Sequence, residues 1–388
     1  MKNEGIFEFA SQMRDWFILQ NYKGIDPYQM DEKAFAVLKS LPFFPMIRKG
    51  LKPFHSKIPS SSFSKFPPIY HPKSIGLIIS GNSYLYQMTQ DKSLLSENNN
   101  LINILESLKN PNYLNACWGH PFEWGHNPRF PFNIPLVCVQ TPVIQSILDY
   151  YAISKNKDAF KLAQSAIQWL VDDIEIDYFD DTMSLHNSPL TSDHVHNSNI
   201  MTAALFYRFY KICNDTLFKE YADKLIQFTI QNQNKDGSWD YSDTSPIIDN
   251  RHTGFVLSAL SKIYHYNQSD EIKKSLERGE KYYYSNLFDK VIPKWSSEQT
   301  YPVDIHDVAQ AIITAIDLKK FDLANEIIHF AINDMSNGKD TFYYKLFASG
   351  KTNKTIFIRW GQAWMYMALI KYLSNVGQNN KSINTFNG

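Results

Sequence analysis

Aspartate and histidine residues stand just before several apolar segments of helical length. Three stretches share this pattern, at residues 193–199, 249–254 and 304–307. Carboxylates and imidazoles are side chains that commonly transfer protons in enzymes. Each aspartate taken alone is also explained as a helix N-cap, and a single histidine as an ordinary structural residue. Because the pattern recurs, we predict that these residues meet in one functional site.

The spacing of these stretches indicates an internal repeat. Thr141, His196, His252, His306 and Trp360 occupy equivalent positions, at intervals of 55, 56, 54 and 54 residues. Each copy contains an apolar helix, a short turn, an amphipathic helix and a longer polar loop. A steady period of this kind predicts repeated helical hairpins.

The hairpins predict an all-α fold, an (α/α)6 toroid with inner and outer rings of helices. Inner helices are expected at residues 73–89, 142–153, 197–213, 253–265, 306–318 and 361–374. Outer helices are expected at residues 101–108, 157–174, 216–233, 270–285 and 320–335, and an N-terminal helix at 6–20 supplies the sixth. An open solenoid is the alternative. The predicted domain spans residues 1–375 (N-terminal helix and strap in 1–70, hairpins in 71–375), before a polar tail at 376–388.

In a toroid of this kind the N-terminal ends of the inner helices surround one mouth, where we expect a saccharide to bind. Six residues are predicted to be catalytic: Asp249, His252, Asp304, His306, His196 and Glu123. Eight residues are predicted to bind the substrate: His194, Asn197, Trp118, Trp124, Trp239, Arg359, Trp360 and Gln362. Aromatic rings suit the apolar faces of a sugar, and the polar groups suit its hydroxyls.

Two reactions fit these residues. A glycoside hydrolase needs two carboxylates across the scissile bond, for which we predict Asp249 and Asp304, with Glu123 as a substitute. A uronate lyase or C5-epimerase instead needs a base that removes the proton next to a carboxylate. The histidines that suit this role of base are His196, His252 and His306. Arg359 or Asn197 would neutralise the carboxylate of the substrate.

Two further classes of protein remain as alternatives. A terpenoid or prenyl-type toroid enzyme would need a deep apolar cavity, and zinc held by Asp249, His252 and His306 would suit it. The sequence has no compact ligand motif, so we predict no metal ligands and no cofactor. The other alternative is a non-catalytic glycan-binding or scaffold protein.

Composition excludes several kinds of partner. The chain of 388 residues has 39 Lys plus Arg and 39 Asp plus Glu, so its formal net charge is zero and nucleic acid is not indicated. The three cysteines, Cys117, Cys138 and Cys213, have no CxxC spacing. No apolar run approaches the ~20 residues of a membrane span. The N-terminus lacks the pattern of a signal peptide, so we expect a cytoplasmic protein.

Seven short motifs resemble those of the VpsJ-like proteins, bacterial α/α-toroid proteins often encoded with exopolysaccharide biosynthesis genes. The motifs are YKGIDPY at 22–28, CWGHPFEW at 117–124, VHNSN at 195–199, DGSW at 236–239, DNRHTG at 249–254, YPVDIH at 301–306 and RWGQAW at 359–364. The resemblance covers about residues 15–375. It implies a role in surface polysaccharide production, an oligosaccharide or polysaccharide substrate, and association with a biosynthesis assembly.

Overall fold

The computed structural model describes residues 3–29, 66–125 and 128–385, with side chains described up to residue 377. Most of the predicted strap lies outside these ranges. Twelve α-helices lie in the described residues. In chain order they are α1 (Asn3–Leu19), α2 (Pro72–Thr89), α3 (Ser93–Ser107), α4 (Val137–Ser154), α5 (Lys157–Asp172), α6 (His196–Cys213), α7 (Thr216–Gln231), α8 (Asn250–Tyr266), α9 (Asp270–Asn286), α10 (Ile305–Asp317), α11 (Phe321–Asp334) and α12 (Ala363–Thr385).

The inner ring consists of α2, α4, α6, α8, α10 and α12, and it is closed. Each inner helix packs against the next, and α12 packs against α2. Across this last contact the hydroxyl of Tyr366 donates a hydrogen bond of 2.7 Å to Oδ1 of Asn82. Among the described residues, the inner helices are mostly buried except at their C-terminal ends, because they contact neighbours on both sides as well as the outer ring. The predicted (α/α)6 toroid is therefore confirmed, and the open solenoid is excluded.

The outer ring consists of the remaining six helices, and α1 is its sixth member as predicted. Helix α1 packs against α12, where the rings of Phe17 and Tyr366 lie edge to face at 5.6 Å. Arg14 of α1 also forms an ion pair with Glu97 of α3. The N-terminal helix thus joins the first and last hairpins of the ring.

Two inner helices differ from the prediction. Helix α4 begins at Val137 rather than at 142, so Pro142 lies within the helix, where it removes one backbone hydrogen bond. The last inner helix is preceded by a π-helical turn, Ile358–Gln362, and α12 then continues to Thr385. Residues 376–385, which were predicted as part of a polar tail, thus extend that helix.

Close packing between inner helices depends on small residues. A Cβ added at Gly254 of α8 would lie 2.9 Å from the hydroxyl of Thr314 on α10. That hydroxyl donates a hydrogen bond of 3.1 Å to the carbonyl of Gly254. Gly254 therefore allows the backbone of α8 to approach α10 closely.

The described loops between helices contain seven short strands: β1 (Ile176–Phe179), β2 (Thr182–Leu185), β3 (Phe288–Asp289), β4 (Ile292–Pro293), β5 (Val303–Asp304), β6 (Lys345–Leu346) and β7 (Thr352–Asn353). They form two antiparallel hairpins and one antiparallel sheet of order β5-β6-β7. Among the described helices, none is long and apolar enough to cross a membrane.

Candidate active site at the mouth of the toroid

The N-terminal ends of the inner helices bring polar side chains together at one mouth. Asp249 is the N-cap of α8, and its Oδ1 accepts a hydrogen bond of 2.8 Å from the backbone N–H of His252. Asp304 is the N-cap of α10 and accepts from the N–H of His306 at 2.9 Å. The unpaired N–H groups of a helix start favour a carboxylate in this place. The capping explanation of both aspartates therefore holds, whatever further role they have.

Asp249 and His252 form a hydrogen-bonded pair at this mouth. Nδ1 of His252 donates to Oδ2 of Asp249 at 2.6 Å, and the ring of Tyr241 lies edge to face with the imidazole at 4.7 Å. Burial raises the pKa of Asp249, but the bonds from His252 and the charge of Arg251 outweigh it and lower the pKa to about 2. Both side chains keep some contact with solvent, with 16% and 27% of their surfaces exposed. Asp249 is thus an ionised carboxylate that a ligand can reach.

Asp307 is a second carboxylate beside the same cation. Its Oδ1 lies 3.3 Å from Nη1 of Arg251, which joins α10 to α8. Burial raises the pKa of Asp307 well above the ordinary value; the charge of Arg251 opposes this, and the charges of Asp304 and Asp249 reinforce it. Several carboxylates therefore surround one guanidinium, and burial favours the protonated form of Asp307.

Asp304, predicted as a catalytic carboxylate, holds an aromatic side chain instead. It is fully buried, and its Oδ1 accepts a hydrogen bond of 2.8 Å from the indole N–H of Trp360. Its Oδ2 lies 3.8 Å from Nζ of Lys345, which β6 brings to the mouth. The guanidinium of Arg251 lies over the ring of Trp360, 4.7 Å from its centroid. Asp304 thus fixes the orientation of Trp360.

His306 is a buried imidazole without a hydrogen bond. Neither ring nitrogen has a partner among the described residues, although the side chain is 4% exposed. Its ring stacks on Trp364 at 5.0 Å and meets Trp360 edge to face at 5.0 Å. Burial, followed by the charge of Arg251, lowers its pKa well below the ordinary value. His306 is therefore neutral, and its one donor and one acceptor are buried without a partner among the described residues.

An aromatic wall formed by Tyr28, Trp124 and Phe130 stands beside this cluster. Trp124 stacks between the other two rings, at 5.4 Å from Tyr28 and 4.3 Å from Phe130. Its indole nitrogen is buried without a partner in the described residues. Arg359 lies over Tyr28 at 4.9 Å and is bound through two nitrogens to Asp26. Arg359 is thus already paired, so it positions the wall rather than awaiting an anionic substrate.

A pair of histidines next to the wall has an assignable tautomer. Nδ1 of His71 accepts a hydrogen bond from the backbone N–H of Lys73 at 3.1 Å, so its Nε2 carries the hydrogen. That nitrogen lies 2.8 Å from Nδ1 of His120, to which it donates. Burial lowers the pKa of both imidazoles well below the ordinary value, so both are neutral. His120 is therefore left with an Nε2–H donor.

The residues at the start of α6 lie in two environments. His196 is buried beside Phe228, and its Nδ1 has no partner among the described residues. Burial lowers the pKa of His196 to about 4. Oδ1 of Asn197 is also buried and unpaired there. His194 instead binds two carboxylates, those of Asp177 and Asp243.

Four of the predicted residues are engaged elsewhere. The indole of Trp118 donates to the carbonyl of Leu105 and that of Trp239 to the carbonyl of Thr229. The amide of Gln362 bonds both backbone groups of Phe342. These three side chains are buried, so they build the walls. The fourth, Glu123, forms a half-exposed ion pair with Arg129.

The mouth also contains residues that the sequence did not single out. Five of them are described above: Asp26, Tyr28, His71, His120 and Asp307. The others are Lys73, Arg251 and Cys138. Burial lowers the pKa of Lys73 to about 8, and its ammonium interacts with the Cys138 thiol, which is free and half-buried on the first turn of α4. Several of these residues lie inside the motifs quoted above. The motifs therefore marked the right stretches of sequence but did not indicate which of their residues reach the mouth.

A cavity runs along the toroid axis between the inner helices. Phe255 and Trp364 line it towards the mouth, and Asp149, Arg208 and Lys371 line its far end. Nη1 of Arg208 donates to Oδ1 of Asp149 at 2.6 Å. Charged groups in this cavity do not suit a long apolar chain, which argues against the terpenoid alternative.

The zinc site considered from the sequence does not form. Asp249 and His252 bind each other, and His306 is buried between Trp360 and Trp364. Among the described residues, the group whose donor atoms could hold a metal ion is a different one, Asp177, His186 and His194.

Comparison with known proteins places this site in a wider context. The sequence profile described as Beta-L-arabinofuranosidase, GH127 catalytic domain, matches residues 39–281. No curated protein matches the chain significantly by sequence.

Several solved structures are similar in fold. A GH76 α-mannanase from Bacteroides thetaiotaomicron has a TM-score of 0.62 at 12% identity, covering 80% of this chain and 88% of its own. A cellobiose 2-epimerase from Bacillus thermoamylovorans has a TM-score of 0.62 at 12% identity, with coverages of 78% and 87%. A family 88 glycosyl hydrolase from Bacteroides vulgatus has a TM-score of 0.57 at 11% identity, with coverages of 79% and 94%. At these identities the likeness concerns the fold alone.

Proposed function

The chain belongs to the Beta-L-arabinofuranosidase GH127 catalytic-domain family of carbohydrate-active enzymes, and we propose that it hydrolyses the glycosidic bond of an arabinofuranoside bound at the mouth of the toroid. The family supports the reaction class and the furanose sugar. The mouth supports the location, because it combines ionisable groups, free hydrogen-bonding nitrogens and stacked aromatic rings.

The observation that carries this proposal is that two carboxyls on neighbouring inner helices lie near the same guanidinium, that of Arg251, in environments that shift their pKa values in opposite directions. Asp249 is ionised, with a pKa of about 2, whereas burial raises the pKa of Asp307 well above its ordinary value and favours its protonated form. Hydrolysis of a glycoside needs one carboxylate and one carboxylic acid. Groups whose environments separate their pKa values are suited to these two roles.

We assign the base or nucleophile to Asp249 and the general acid to Asp307. The nearby Arg251 stabilises negative charge on both carboxyls, including the charge left on Asp307 after it protonates the leaving oxygen. This assignment keeps Asp249 from the sequence prediction and replaces Asp304, whose carboxylate is occupied by Trp360 and the backbone of His306.

The remaining groups suit recognition of a sugar. Tyr28 and Trp124 offer ring faces, and His120 offers an N–H donor beside them. His306 offers both a donor and an acceptor. These neutral groups can bind hydroxyls without introducing a charge next to the carboxyl pair. The resemblance to the VpsJ-like proteins supports an exopolysaccharide as the source of the glycoside.

Epimerisation is the second candidate, and His306 is the observation that favours it. An unpaired imidazole beside Arg251 can remove a proton from a carbon, as a sugar epimerase or uronate lyase requires. The burial that lowers the pKa of His306 also weakens it as a base, so hydrolysis has the better support.

A panel of 4-nitrophenyl glycosides tests the proposal. We expect release of 4-nitrophenol from the β-L-arabinofuranoside and none from the corresponding pyranosides. Asp249→Asn and Asp307→Asn should lower kcat/KM by about 10²–10⁴-fold, and Glu277→Gln on the outer surface serves as the matched control. A chromatographic assay for epimers and unsaturated products runs in parallel. Epimer formation without hydrolysis, or no turnover of any furanoside, would overturn the proposal.

Cys138→Ser completes this experiment, because the thiol lies near the same cations. We expect the serine variant to keep most of its activity. A loss as large as that of Asp249→Asn would transfer the role of nucleophile from Asp249 to Cys138.

A further inference from the structure

Two histidines and three carboxylates form a compact cluster where the β1–β2 hairpin meets the loop before α6. Nε2 of His186 and Nε2 of His194 both lie 2.8 Å from Oδ2 of Asp177. On the other side of each ring, Nδ1 of His186 lies 3.3 Å from Oε2 of Glu175, and Nδ1 of His194 lies 2.7 Å from Oδ2 of Asp243. Each imidazole thus stands between two carboxylates.

Hydrogen bonds alone do not pair all the nitrogen and oxygen atoms of this cluster well. An ionised carboxylate only accepts hydrogen bonds, so each ring would need a hydrogen on both nitrogens and would be a cation. A neutral imidazole has one N–H and one lone pair. If the N–H groups point to Glu175 and Asp243, two lone pairs converge with an oxygen of Asp177 on the inner side. Two nitrogen lone pairs and a carboxylate oxygen need a cation between them.

We propose that Asp177, His186 and His194 bind a divalent transition-metal ion, for which zinc is the probe. The ligands would be Nε2 of each histidine and Oδ2 of Asp177, and these donor atoms all lie within 4.8 Å of one another. Metal-bound histidines commonly donate their other ring N–H to a carboxylate, which is the place of Glu175 and Asp243 here. The backbone N–H of His194 also donates to Oδ1 of Asp243 at 3.0 Å, which fixes that outer carboxylate.

The geometry needs only a small adjustment to accept an ion. Zinc binds nitrogen and oxygen at ~2.0–2.2 Å, which places tetrahedral ligand atoms roughly 3.4 Å apart. The two nitrogens would therefore move about half an ångström away from the Asp177 oxygen. The histidines are buried, with 9% and 13% of their side chains exposed, whereas Asp177 is 46% exposed. Water can therefore complete the coordination from the Asp177 side.

The ion would connect three segments near the mouth. Asp177 lies on β1, His186 follows β2, and His194 stands two residues before α6. The side chain of Phe179 on the same hairpin meets the His194 ring edge to face at 5.3 Å. Binding would hold the hairpin against the start of an inner helix, so its main effect is on stability. It is independent of the proposed hydrolase reaction.

Metal binding is tested directly on the full chain, purified without a histidine tag and stripped with chelator. Titration calorimetry with Zn²⁺ should show one site per chain, and zinc should raise the thermal midpoint in a chelator-reversible manner. Cobalt(II) should give visible absorption typical of a low-coordinate nitrogen–oxygen site. No one-to-one binding at micromolar zinc would overturn the proposal.

The variants locate the site and exclude an effect on folding. His186→Ala and His194→Ala should abolish stoichiometric binding, and Glu175→Gln should weaken it by about 10–100-fold. His265→Ala, which removes an exposed histidine of α8, is the matched control and should bind as the parent does. Circular dichroism verifies that each variant is folded, and Glu175→Gln decides the question if an alanine variant is not. Unchanged zinc affinity in the folded variants would contradict the assignment.

Discussion

Arg359 and Asp26, 333 positions apart in the chain, form a bidentate ion pair inside the protein. Nη2 of Arg359 donates to Oδ1 of Asp26 at 2.7 Å, and Nε donates to Oδ2. Both side chains are almost completely buried. The backbone N–H of Ile358 also donates to the carbonyl of Ile25 at 3.2 Å. These contacts bind the segment after α1 to the π-helical turn before α12. The Arg359–Asp26 ion pair also supports Tyr28 in the aromatic wall.

Removing one member of this pair should strongly destabilise the protein. Asp26→Ala leaves the buried Arg359 charge uncompensated, which typically costs about 3–5 kcal/mol of the free energy of unfolding. Urea unfolding followed by circular dichroism measures the loss. Glu123→Gln, which removes a half-exposed ion pair with Arg129, is the control and should cost no more than about 1 kcal/mol. Equal effects of the two substitutions would contradict the role given to the pair.

The two carboxyls predict the pH dependence of hydrolysis. The proposed reaction requires ionised Asp249 and protonated Asp307. We therefore expect kcat/KM to decrease on the acid side, at a pH of about 2, and again on the alkaline side, as the pH rises through the raised pKa of Asp307. The limb on the acid side is accessible only if the fold survives there, so the alkaline limb is the practical measurement. The residual activity of Asp307→Asn should show no decrease on the alkaline side. If the decrease persists in this variant, Asp307 is not its source.

Asp307 also predicts a pH-dependent change in stability. A carboxyl whose folded pKa is raised stabilises the fold fully below its unfolded pKa, and this contribution is lost as pH rises through the folded pKa. Asparagine resembles the protonated acid and does not titrate. The stability of Asp307→Asn relative to the parent should therefore grow by about 1.4 kcal/mol per pH unit above pH 3.8, up to the raised pKa. Urea unfolding at pH 5 and pH 8 measures this difference, and a constant difference would argue against a protonated Asp307.

Trp124 should contribute to binding more than to chemistry. Trp124→Ala removes the ring between Tyr28 and Phe130, and we expect KM for the glycoside to rise by roughly fivefold, or ~1 kcal/mol, while kcat changes less. Steady-state kinetics separates the two constants. Leu114→Ala, at a 98% exposed position in the same long loop, should leave both unchanged. A fall in kcat alone would place Trp124 outside the substrate-binding surface.

Trp239 should behave as a packing residue. A Cβ added at Gly279 on α9 would lie 2.5 Å from the Trp239 ring, so Gly279→Ala should destabilise the fold by about 1–3 kcal/mol. Gly377→Ala is the matched control, because its added methyl meets nothing within 4 Å and should be neutral or slightly stabilising. Thermal unfolding of the two variants measures the contrast, and activity per folded molecule should be retained in both.

The sequence by itself determined the architecture of this protein. A hydrophobic period of about 55 residues specifies hairpins whose apolar faces must be covered by neighbours, and six such hairpins with complementary ends form a closed ring. It also located the mouth, because aspartate caps such as Asp249 and Asp304 mark where inner helices begin. Helical periodicity and capping act over a few residues, so they are visible in a single sequence.

Only the tertiary structure decided which of these residues remain free and which charges they carry. Asp304 and Asp307 are three positions apart, yet one is bound to Trp360, whereas the other lies beside Arg251 with its pKa raised by burial. The partner of Arg359 lies 333 positions away, and those of His194 lie 17 and 49 positions away on two different loops. Burial and pairing depend on the neighbours that the closed ring brings together, and these neighbours determine both the pKa of a carboxyl and its availability to a ligand.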